Sequence, residues 1–151
     1  MRYALSGLFV LAFAGCGVMP DTSDEADAPG SVAEWMAGEA PPAPPSNART
    51  VEQFDTTTEE QRVAASAPAA GGALLGREIV SLGDPSRPGF WIETALINAP
   101  GQGRLVFAQT GKSVEVELIP GEGGARVSLA ALRLLEAPLT ELPMLEVYQL
   151  N

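Results

Sequence analysis

The sequence predicts a mainly β fold, a small closed barrel of five or six short strands with one short helix, preceded by a disordered tether. Three observations predict it. Over residues 76–151, runs of β-type residues alternate with Gly/Pro/Asn turn signals. Within residues 113–119, Val114, Val116 and Leu118 fall on one face and Glu115 and Glu117 on the other, the period of a half-buried strand. Before residue 76 the composition changes to Ala, Pro, Ser and acid, which buries too little apolar surface to offset the entropy of ordering.

The strands follow in order. Residues 77–82 form a first strand, and residues 83–89 a loop whose Pro85 and Pro88 cannot donate to a ladder. Residues 90–97 are a second strand, followed by a turn at 98–103. Residues 104–108 and 113–119 make a hairpin about Gln109-Thr110-Gly111-Lys112. Residues 120–124, with Pro120 and three glycines, break the pattern. Ser128 then caps a short helix reaching Leu135, Pro138 and Pro143 bracket a loop, and residues 144–150 are the closing strand.

The tether, residues 16–75, carries two basic residues after Cys16 (Arg49 and Arg62) against ten acids, whereas residues 76–151 carry six against nine. Pro41-Pro42-Ala43-Pro44-Pro45 is a stiff polyproline piece. Two capping boxes interrupt the tether, Ser31/Glu34 and Thr57/Glu60, each opening a turn or two of helix. Residues 49–54 are more apolar and could pack on the domain as a strap.

The first fifteen residues read as an export signal. Arg2 precedes twelve uncharged residues, 3–14, which rise only about 18 Å as a helix, too little for a hydrocarbon core of about 30 Å. Phe13-Ala14-Gly15-Cys16 closes the run and resembles the lipobox of bacterial lipoproteins, with Phe13 where leucine is usual. That resemblance implies acylation of the Cys16 thiol, cleavage before it, and attachment to a membrane. Gly17 is not the Asp that favours inner-membrane retention in some bacteria, so the periplasmic face of the outer membrane is expected.

Composition removes several chemistries. The chain has no histidine, hence no His-based triad and not the commonest metal ligand, and its single cysteine excludes an internal disulfide. No cofactor or metal is expected. A net charge of −10 makes nucleic acid a poor partner.

The C-terminal half resembles the double-psi β-barrel domain of rare lipoprotein A, a family of outer-membrane lipoproteins that cleave peptidoglycan glycan strands. Gly111-Lys112-Ser113-Val114-Glu115-Val116 matches one family strand, Ser128-Leu129-Ala130-Ala131-Leu132-Arg133-Leu134 its helix, and Leu145-Glu146-Val147-Tyr148 its final strand. The resemblance covers residues 77–150 and implies a double-psi-like barrel. The family's catalytic pair is missing: Pro120 stands where the family has a turn Asp, and its His has no counterpart. Similar small lipoproteins sometimes carry a galactarate dehydratase label, a reaction that needs a base and often a metal.

The residues left for chemistry have plain structural readings beside functional ones. Asp84, before Pro85, is a turn former that could border a groove. Glu93, Glu115 and Glu117 could pair as carboxylates but suit the solvated face of a sheet. Residues 121–124 could form an anion nest around Glu122 or a plain loop. Phe90 and Trp91 could offer a stacking platform for a sugar, although alternation sends one ring into the core. Ser113 and Ser128 read as a strand residue and a helix cap. The expected function is a non-catalytic envelope module binding peptidoglycan or a protein partner. The alternative is an enzyme, either weakly glycan-cleaving or a sugar-acid dehydratase.

Overall fold

A computed structural model describes residues 40–67 and 71–150 of the chain. The expected signal, Cys16 and the Ser31/Glu34 capping box lie outside these residues. Among the described residues there are six strands: β1 (Ala73–Leu82), β2 (Trp91–Thr94), β3 (Gly101–Phe107), β4 (Lys112–Pro120), β5 (Ala125–Val127) and β6 (Met144–Gln149). The helices among them are α1 (Val51–Phe54), α2 (Glu59–Ser66) and α3 (Leu129–Leu134). The strands close into a barrel in the order β1-β5-β2-β4-β3-β6. The pairs β1·β5 and β2·β4 are parallel and the other four antiparallel, so the first and last strands lie side by side.

The alternation in the sequence builds the interior. Val114, Val116 and Leu118 are buried, as are Leu105 and Phe107 on β3, Leu145 and Val147 on β6, Val80 on β1 and Ile92 on β2. From α3, Ala131, Leu132 and the following Leu135 join the same core. The hairpin is where the sequence puts it, with Phe107 opposite Lys112, and Thr110 Oγ1 donates to the Leu135 carbonyl, tying its turn to α3. Gly103 is fixed by a close approach. A Cβ there would lie 2.4 Å from Leu118 Cδ2 and 2.7 Å from the Tyr148 carbonyl oxygen.

Four elements differ from expectation. The second strand ends at Thr94, because the Leu96 N–H bonds Thr94 Oγ1 at 3.0 Å and the chain turns. β3 starts at Gly101 and β1 at Ala73, each earlier than turn residues suggest, because a strand partner satisfies their backbone. β5 follows the glycine-rich break and pairs with β1 and β2 over only three residues, too few to show a period.

The folded unit also begins well before residue 76. The expected strap forms α1, and the chain runs on into α2, whose Ala65 is 1% exposed and belongs to the barrel core. The capping box sits one residue later than expected. Thr58 Oγ1 accepts from the Gln61 N–H, and Gln61 Oε1 accepts from the Thr58 N–H. Thr57 is not free for that role, since its hydroxyl donates to Asp55 Oδ1 and accepts from Arg62 Nε.

Candidate functional site

The loop from β1 to β2 and the first residue of β2 hold three of the residues singled out by sequence: Asp84, Phe90 and Trp91. Asp84 acts as a turn former. Its Oδ1 accepts from the Ser86 N–H at 2.8 Å and the Ser86 hydroxyl at 2.7 Å. The hydroxyl bond above all, then the amide, holds this carboxyl below the usual aspartate range. Such a group is ionised and weakly basic at neutral pH.

Trp91 offers no open face for a sugar. It is 2% exposed, Gly83 leaves room for its ring, and the Arg87 guanidinium lies 4.6 Å from the ring centroid. Its Nε1–H donates to the Arg87 carbonyl at 3.3 Å. The structure leaves no open pair of rings for a stacking platform: Trp91 lies on the outer side of β2, opposite to Ile92, buried under the loop and Arg87, and Phe90 is half-buried against the core. Alternation sends the Phe90 ring toward the core; the arginine that covers Trp91 on the other side comes from the loop and carries no signal in the sequence.

The carboxylates on the strands do not gather. Glu93 is clamped by two cations, Arg87 at 3.2 Å on one oxygen and Arg126 at 3.3 Å on the other. Register sets Glu117 beside Trp91 and Gln102, and Glu115 beside Arg104. Partial burial pushes the Glu115 carboxyl up, and the charge of Arg104 acts against it. Glu122 is exposed in the glycine-rich loop. Pro120 ends β4 opposite Thr94. Ser113 is a strand residue, and Ser128 is fully buried, its hydroxyl oxygen accepting from the Ala131 and Trp91 N–H groups, as a helix cap requires. Among the described residues no three His, Cys, Asp or Glu lie close enough to hold a metal ion.

Two polar arrangements were not foreseen. On the outer face of β3, β6 and β1, Arg104 stacks 4.9 Å from the Tyr148 ring centroid, Tyr148 Oη donates to Glu146 Oε2, and Arg77 donates twice to Glu146 Oε1. The Arg77 bonds chiefly, then Tyr148, hold Glu146 below the usual carboxylate range. The second is Asp55, whose side chain is 2% exposed between Arg62 at 3.3 Å and Arg133 of α3 at 2.7 Å. Asp55 stands between an apolar strap and three threonines in sequence, which hints at a turn but does not point to a partner on a distant helix.

Strap residues 54–57 face residues 85, 87–89, 129 and 130 across a cavity of about 10 Å³, room for about one water. The chain matches no family model, no curated protein and no solved structure.

Proposed function

We propose that this chain is a lipoprotein of the bacterial cell envelope, held at the periplasmic face of the outer membrane through Cys16. Its barrel serves as a non-catalytic binding or structural module for peptidoglycan or an envelope protein. The observation that carries the reading is Phe13-Ala14-Gly15-Cys16 directly after an uncharged stretch too short to span a bilayer. Several acyl chains on one residue hold a protein firmly where a single chain does not.

A non-catalytic role is supported by how the carboxylates are engaged. A general acid or base must exchange a proton near neutral pH within reach of substrate. Asp84 is held ionised by Ser86 and Glu146 by Arg77, while both oxygens of Glu93 are taken by arginines. Peptidoglycan cleavage and sugar-acid dehydration both need a proton donor and acceptor that these groups do not supply.

Metabolic labelling with a palmitate analogue tests the anchor. The wild-type chain is expected to take up label and Cys16→Ser to accumulate as unlabelled precursor; normal labelling of the variant overturns the reading. Incubation with purified sacculi tests the module. Sedimentation of the protein with sacculi and no soluble muropeptides supports binding without cleavage, and muropeptide release refutes it.

A further inference from the structure

The strap is attached to the barrel by few apolar contacts and one ion pair. Of residues 40–67 only Thr57 and Ala65 are buried, at 7% and 1% exposure, and both are small. Of the larger apolar side chains, Phe54 is half-buried at the cavity, while Val51 and Val63 remain 37% and 61% exposed. Among the described residues, the ion pair that crosses from strap to barrel is Asp55–Arg133. Asp55 is also held from its own side by Arg62 and Thr57, so the carboxylate is preformed on the strap and inserts as a unit. The arginines are each about a third exposed, at 33% and 34%, which leaves the pair open to salt. Between strap and β1 stand Gly71 and Gly72, with φ of +89° and +109°, conformations that suit a hinge and few other residues.

We propose that residues 40–67 form a latch that opens as one piece, with Asp55 as its catch. Opening bares the loop at residues 85–89 and the first turn of α3, while the barrel stays closed. The surfaces the latch covers are those that line the small cavity opposite Phe54 and Thr57, together with the core side chains that Ala65 caps. Each barrel strand keeps both neighbours when the strap leaves, because no strap residue takes part in the strand pairing. The latch does not depend on the anchoring of Cys16 and stands or falls separately from it.

Hydrogen exchange on the full-length protein tests this, comparing α2 amides with those of β3 and β4. Asp55→Asn and Arg133→Gln are each expected to speed α2 exchange by about tenfold or more and leave the barrel amides within about threefold. Raising salt to about 1 M moves the wild-type α2 in the same direction. Glu59→Gln, which removes only an exposed contact to Arg62 at 3.9 Å, leaves α2 near wild type. Equal acceleration of strap and barrel overturns the proposal, and so does α2 exchange that ignores both substitutions and salt. A variant that cannot fold at all also counts against it, since the barrel must outlast the strap.

Discussion

Asp55 and Arg133 are 78 residues apart in the chain and 2.7 Å apart in the fold. Removing one partner of a buried pair leaves the other desolvated and uncompensated, at a cost of about 3–5 kcal/mol when both are fully buried. The partial exposure of Arg133 lowers that to about 2 kcal/mol. That is the cost expected of Asp55→Asn; a chain of residues 71–151 instead returns Arg133 to water and loses the pair and the burial of Ala65, and is expected to fold but to melt roughly 5 °C below a chain of residues 40–151. Equal melting temperatures in calorimetry show that the strap contributes nothing.

Gly103→Ala is expected to be the costliest single-methyl addition in the barrel. The new Cβ meets Leu118 and, less forgivingly, the backbone oxygen of Tyr148. Overpacking of this kind costs about 1–3 kcal/mol, and the rigid backbone contact argues for the upper part. Urea denaturation gives the value, and a cost below about 0.5 kcal/mol refutes the close approach.

Glu136 follows α3 with a φ of +54°, a left-handed conformation that glycine adopts without steric penalty. Its exposed pairing with Lys112 at 2.7 Å offsets little of that strain. Glu136→Gly is expected to raise stability by roughly 0.5–1 kcal/mol. A net loss means the Lys112 contact outweighs the backbone term.

Burial raises the folded-state pKa of Glu115, so the folded protein favours its protonated form. The contribution is favourable at low pH and lost as pH rises through the folded-state value. Glu115→Gln should accordingly raise the melting temperature by about 1–2 °C at pH 7, with the gain vanishing below the carboxylate range. Glu146 has the opposite sign. Its pKa is lowered, so its contribution is present at neutral pH and fades as the carboxylate protonates. A Glu115→Gln gain that grows on acidification contradicts this assignment.

Arg87→Ala should uncover Trp91. In a Trp35→Phe background, which leaves Trp91 as the single tryptophan, the emission is expected to shift to the red and acrylamide quenching to rise. Unchanged quenching means that Arg87 is not the lid over the indole.

Period-2 patterning made most of the barrel legible. Val114, Val116 and Leu118 announce β4, Ser128 announces α3, and both occur where the residues place them. What escaped had no local pattern to read. β5 is three residues long and exists because β1 and β2 leave a gap that it completes. The early start of β1 depends on β6, about seventy residues later. The site residues divide in the same way: Asp84 and Ser128 behave as their types dictate, because their partners lie within three residues. Trp91 and Asp55 are defined by arginines whose positions only the tertiary fold supplies.

Because β1 is zipped to β6, with Ala73 opposite Gln149, the ring has a gap until the last few residues of the chain are in place. Pairings of such long sequence separation form slowly. Until residues 144–149 are available the ring lacks its sixth stave and leaves β1 and β3 each with one bare edge. Closure of the barrel waits on this strand, and a chain cut before Met144 keeps two unpaired edges, the kind of surface that templates association with other strands.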